Sequence, residues 1–158
     1  MAPEAGQVAV VDPVQAADVR ATAPDAPAAA VIVFDGVCVL CNGWVHFLLR
    51  HDRRARYRFA AMQSGSGRAL LDAHGLDPDA PASLLLLEHG RAWTDTDAIV
   101  RVIGGLGGAW RCARLLSVLP RPLRNRLYRV LARNRYRWFG RRDACLVPTA
   151  EHRHRFLP

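Results

Sequence analysis

One junction constrains this chain more than any other. Val31-Ile32-Val33-Phe34 is a short apolar run rich in β-branched side chains, the pattern of a buried strand. Asp35-Gly36 interrupts it. From Val39 to about Asp52, Leu40, Trp44, Phe47, Leu48 and His51 then recur at helical spacing. A buried strand that turns directly into an amphipathic helix commits the chain to layered α/β architecture. The rest follows the same grammar. Arg56-Tyr57-Arg58-Phe59-Ala60 alternates as a second strand, and Ser64 to His74 is a helix closed by Gly75. Ser83 to Glu88 is a leucine-rich strand, and His89-Gly90 folds the chain back into a short strand, Arg91 to Trp93. Asp95 or Thr96 caps a helix carrying Ala98, Ile99, Val102 and Ile103, which the glycines at 104, 105, 107 and 108 end. The order β-α-β-α-β-β-α predicts a mixed sheet flanked by helices.

Three regions emerge. Residues 1–30 are rich in Ala and Pro without periodicity and read as a disordered tail, with at most a short helix near Val14 to Arg20. Residues 31–109 form the α/β domain. Residues 110–158 form a helical extension packed on it, running from Trp110 to about Arg135 and split at Pro120-Arg121-Pro122. In the extension Leu123, Leu127, Val130 and Leu131 make one apolar stripe, expected to pack on the sheet. Arg126, Arg129 and Arg133 line another face.

Charge divides along the same line. Of the 22 basic residues all are Arg, so chemistry that needs a Lys nucleophile or a P-loop Lys is excluded. Residues 1–100 hold 8 Arg and 12 acids, whereas residues 101–158 hold 14 Arg and 2 acids. An electrostatic partner therefore belongs to the last third of the chain. The Arg- and Ala-rich bias is also that of GC-rich coding and suggests a bacterial source. No apolar run is long enough to span a membrane, and the N-terminus lacks the pattern of a signal peptide, which reads as cytoplasmic.

Four cysteines are too few for a disulfide-stapled scaffold. Cys38 and Cys41 form a CxxC between the first strand and its helix, the context of a redox dithiol. Two intervening residues bring both sulfurs to the first helical turn, whose free N–H groups stabilise a thiolate on Cys38. Cys38 is then the attacking sulfur and Cys41 the resolving one. Asp35 has two readings: it holds the Gly36 turn or the helix start, or it accepts a proton from Cys41. A zinc site would want a second CxxC or an HxxxH pair, and neither exists, so no metal or cofactor is expected. Cys112 reads as a small packed residue on a helix, and Cys145 as a loop thiol before Pro148.

The segment Asp35-Gly36-Val37-Cys38-Val39-Leu40-Cys41 resembles the DCC family, bacterial and plant-type proteins described as thiol-disulfide oxidoreductases. The family's Asp and two Cys fall on Asp35, Cys38 and Cys41. The likeness continues through Phe47-Leu48 with Asp52, Phe59-Ala60, Gln63-Ser64, Thr96-Asp97-Ala98, Arg124, Tyr128, Ala132, Asn134-Arg135-Tyr136, Trp138-Phe139-Gly140 and Cys145. It spans roughly Val31 to Pro148. It implies a thioredoxin-like fold and dithiol/disulfide exchange with a protein or a small thiol. A thioredoxin-like chain usually has a cis-proline near the position of Ala82, whereas the proline here is Pro81. The alternative function is a redox-inactive adaptor that docks on an acidic partner or an anionic membrane through Arg126, Arg129 and Arg133. Nucleic acid ranks last, because no recognised binding motif accompanies the charge.

Overall fold

The computed structural model describes residues 30–79 and 83–158. The expected tail with its short helix, and the Pro81-Ala82 position, lie outside the described residues. The elements run β1 (Ala30–Phe34), α1 (Val39–His51), β2 (Tyr57–Ala61), α2 (Gly65–Ala73), β3 (Leu85–Glu88), β4 (Arg91–Thr94), α3 (Asp95–Gly105), a 3-10 helix (Gly108–Val118), α4 (Arg121–Phe139) and a short 3-10 turn (Arg153–Arg155). The sheet order is β2-β1-β3-β4. β1 is parallel to β2, with Ile32 opposite Phe59, and antiparallel to β3, with Ile32 opposite Leu86. This is the mixed, thioredoxin-like α/β fold, with strand boundaries shifted by one or two residues from those in the sequence reading.

β1 is central because both of its faces are apolar. Ile32 and Phe34 join Val45 and Leu48 of α1, Phe59 and Leu86 of the sheet, and Ala98 and Val102 of α3 in one core. Val31 and Val33 join Ala60, Leu71 and Leu85 in a second core under α2. Helices thus cover both sides of a strand with no polar face. Gly105, one of the glycines expected to end α3, is its last residue. The Tyr57 hydroxyl donates to the Val102 carbonyl at 3.1 Å, and a Cβ on Gly105 would meet that hydroxyl at 2.0 Å. The glycine serves close packing there.

The C-terminal third departs most from expectation. Its first part, Gly108–Val118, is a 3-10 helix with no buried residue. Cys112, expected to be packed, is exposed on it. α4 begins after Pro120, with Pro122 in its first turn, and continues past Arg135 to Phe139. The apolar stripe does not face the sheet: Leu123, Leu127 and Val130 are exposed, while Arg124 and Ala132 are buried. Acids at the start of α3 explain this inversion. Asp97 accepts from Arg121 (Nε, 3.0 Å) and from Arg124 (2.6 Å), and Asp95 accepts from Arg129 at 3.2 Å.

The chain end is tied down in the same way. Asp52, which closes α1, accepts from the Tyr57 and Arg56 amides at 3.0 and 3.2 Å and from the Arg155 guanidinium. Arg155 also donates twice to the Tyr57 carbonyl, at 2.8 and 3.1 Å. Both partners are buried. Removing one side of such a pair strands the other charge in the core. Arg155→Met is therefore expected to cost about 3–5 kcal/mol of stability in denaturant unfolding, whereas Arg153→Met on the exposed side of the same turn should change it by less than about 0.5 kcal/mol.

Candidate redox site

Cys38 stands at the C-terminal end of β1, where the chain leaves the sheet. It is the N-cap of α1, and its Sγ accepts the Cys41 amide at 3.3 Å. That bond fills one of the unpaired N–H groups of the first helical turn with a sulfur acceptor. Both cysteines are free thiols. The Cys41 thiol beside Cys38 pulls its pKa down from 9.0 to about 6; burial opposes this, and the Cys41 amide adds to it. Asp35 raises the Cys38 pKa and Arg135 lowers it. Cys41 moves the opposite way, because its proton is shared with the Cys38 sulfur and burial adds to the effect. One sulfur is thus the thiolate and the other keeps the proton.

Asp35 is buried at the same strand end and its two oxygens are fully used. Oδ1 accepts the Val37 amide at 3.2 Å and the Gln63 side chain at 2.8 Å. Oδ2 accepts the Tyr136 hydroxyl and the Arg135 guanidinium, the latter at 3.2 Å. Burial opposes ionisation, but the bonds from Tyr136, Gln63, Val37 and Arg135 together outweigh it and hold the carboxyl below its ordinary value. The contact that would hold the Gly36 turn is in place.

A strap from the C-terminal region closes over the CxxC loop. The Val39 amide donates to the Gly140 carbonyl at 3.4 Å, the Arg142 amide to Val37 at 2.7 Å, and the Leu146 amide to Gly36 at 3.0 Å. Cys38 and Arg141 form an isolated antiparallel bridge. The result is a Cys38 with 0% exposure and a half-buried Cys41. Cys145 rides on this strap, its thiol 3.3 Å from Gln63 Oε1, and burial pushes its pKa up. Gly36 leaves room for the strap: a Cβ there would meet the Cys145 sulfur at 2.7 Å and Gln63 Oε1 at 3.0 Å, so either side chain would have to shift.

Cys38, Cys41 and Asp35, singled out in the sequence, therefore sit together. Cys112 lies elsewhere, exposed on the 3-10 helix. Gln63, Arg135 and Tyr136 complete the cluster and were given no role in the sequence reading. Their one signal was membership of the blocks Gln63-Ser64 and Asn134-Arg135-Tyr136. Among the described residues no three His, Cys, Asp or Glu side chains converge on a metal position.

A thioredoxin-like sheet with a dithiol at the start of its first helix defines the general class. Within it, residues 32–141 match the model of the DCC1-like thiol-disulfide oxidoreductase family, and the chain belongs to that family. It is 39% identical over 128 residues to the uncharacterized protein YuxK of Bacillus subtilis, covering 81% of this chain and 93% of that one. It is also 39% identical over 116 residues to a chloroplastic DCC family protein of Arabidopsis thaliana, covering 73% and 67%. No solved structure matches the chain.

Opposite shifts should follow from the two charges that flank Cys38. The pH profile of its alkylation in the reduced protein should inflect near about 6. Arg135→Gln should move that inflection up, and Asp35→Asn should move it down. The sign for stability follows as well. A depressed thiol contributes stability that is fully present above its ordinary 9.0 and is lost as pH falls through about 6. Cys38→Ser should flatten that part of the stability profile of the reduced protein.

Proposed function

We propose that the protein exchanges a dithiol for a disulfide at Cys38 and Cys41. The observation that carries this reading is the Cys38 sulfur at the α1 N-cap, accepting the Cys41 amide at 3.3 Å. The electronic split supports it, since an attacking thiol with a pKa near ambient pH combines thiolate population with nucleophilicity.

The electron balance is that of two successive displacements. The Cys38 thiolate attacks one sulfur of a client disulfide, forming a Cys38–client bond and releasing the other client sulfur as a thiolate. The Cys41 thiol loses its proton to that thiolate or to solvent and attacks the Cys38 sulfur. The Cys38–Cys41 disulfide forms, and the client leaves as a dithiol or as two thiols. The client is reduced by two electrons and the protein oxidised by two. Run backwards, the same steps oxidise a client dithiol. Asp35, ionised and holding four donors, is a poor proton acceptor. Its role is to hold the turn that presents Cys38. Because the strap at 140–146 covers Cys38, a client sulfur reaches it only when those backbone bonds open.

In a Cys112→Ser/Cys145→Ser background, oxidation should lower the free thiol count by two. Cys41→Ser should accumulate mixed disulfides on Cys38, released by reductant and read by mass spectrometry. Disulfide exchange that persists in Cys38→Ser would sink the mechanism.

A further inference from the structure

The C-terminal third leaves an outward face that the redox chemistry does not use. The 3-10 helix meets the protein through Trp110, whose ring packs on Phe47 and His51, and through Arg114, whose side chain lies against Gly104 of α3; Arg114 and Ser117 line a cavity of about 460 Å³ beside that helix. Its aliphatic side chains point away, with Leu115 71% and Val118 83% exposed and Leu116 also in solvent. Beyond Pro120, α4 carries an exposed apolar strip of its own. At 100° per residue, Leu123, Leu127, Val130 and Trp138 fall within about 80° of arc on the outer side of this helix, and all four are exposed. Arg126, Arg133 and Arg137 run alongside, exposed and with no ion pair among the described residues. Arg129, grouped with Arg126 and Arg133 in the sequence reading, is instead paired with Asp95.

We propose that this face docks on an anionic lipid bilayer. Charge selects that occupant. Between Asp97 and Asp143 there is no acidic residue at all, while twelve arginines stand there. A second copy would bring Arg126, Arg133 and Arg137 against their own image with no carboxylate nearby to neutralise them, and like charges at an interface are repulsive. An anionic surface supplies the missing sign everywhere at once. Shape and composition agree. The apolar residues are mainly aliphatic, spread along two successive helices, whereas protein interfaces concentrate binding in aromatic anchors set into pockets. A bilayer asks only for apolar area, flanking cations and an interfacial aromatic, which the leucines, the arginines and Trp138 provide. No helix among the described residues is long and apolar enough to cross a membrane, so the contact is peripheral. α4 leads from this face to Gly140, whose carbonyl accepts the Val39 amide, so the docked helix is tied directly to the CxxC loop.

The test is cosedimentation of the full chain with phosphatidylcholine vesicles and with equimolar phosphatidylcholine and phosphatidylglycerol vesicles, across a salt series. Sedimentation velocity gives the oligomeric state without lipid. The chain should pellet with the anionic vesicles at low salt and be released as salt rises. Arg126→Gln/Arg133→Gln should weaken that binding about 30-fold at low salt. Leu115→Ser/Val118→Ser should weaken it at least about tenfold. Circular dichroism should match the parent in both, since these side chains are exposed. Cys38→Ser should bind as the parent does, which separates this inference from the redox reading. Three results would each overturn it: no binding to anionic vesicles at low salt, binding that ignores both double substitutions, or a lipid-free dimer that Leu115→Ser/Val118→Ser dissociates.

Discussion

A carboxylate buried at the end of the central strand organises this molecule. Asp35 follows directly on β1 and cannot remain ionised there without donors. It draws them from four places: the Val37 amide in its own turn, Gln63 after β2, and Arg135 and Tyr136 on α4. The last two are 100 and 101 residues away in the chain. Meeting the demand of one group therefore brings the loop after β2 and the final helix to the same strand end. The CxxC loop is caught between them. The arrangement also moderates the electrostatics of the dithiol, because Arg135 offsets the anion that would otherwise oppose a thiolate on Cys38.

The same currency holds the two unequal halves of the chain together. Asp52, Asp95 and Asp97 belong to the acidic first hundred residues, and their partners Arg155, Arg129, Arg121 and Arg124 belong to the basic remainder. Much of the charge asymmetry is thus spent within the molecule. What is left over includes the arginines at 126, 133 and 137, which face outward beside aliphatic side chains. A surface with that composition is a property of the folded chain, since it exists only once the acids of α3 have chosen which side of α4 they hold.

The sheet and its first helix were legible because their side chains obey simple periodicities. The apolar run at 31–34 is buried on both faces of β1, as a continuous β-branched stretch should be. The dithiol was legible for a similar reason, since a CxxC at a strand-to-helix turn has few other uses. α4 was misread because the apolar-stripe argument assumes an apolar neighbour. Its actual neighbours are Asp97, Asp95 and Asp35, so Arg124, Ala132 and Arg135 turn inward while Leu123 and Leu127 turn out. Gly105 was legible as the end of α3, but nothing local signalled that Tyr57, 48 residues earlier, would need the space beside it. Gln63 and Tyr136 had no local signature either, because a polar residue in a loop or on a helix looks the same whether or not a buried anion awaits it.

By itself the sequence determined the α/β class and the place of the Cys38–Cys41 pair at the strand-to-helix junction. These follow from hydrophobic period, which acts over a few residues. Only the tertiary structure decided that Cys38 is covered by a strap from residues 140–146, that Asp35 holds four donors, and that the Arg-rich helix presents its leucines to the outside. Those outcomes depend on which distant groups must be paired once water is excluded, and that requirement arises only when the core has closed.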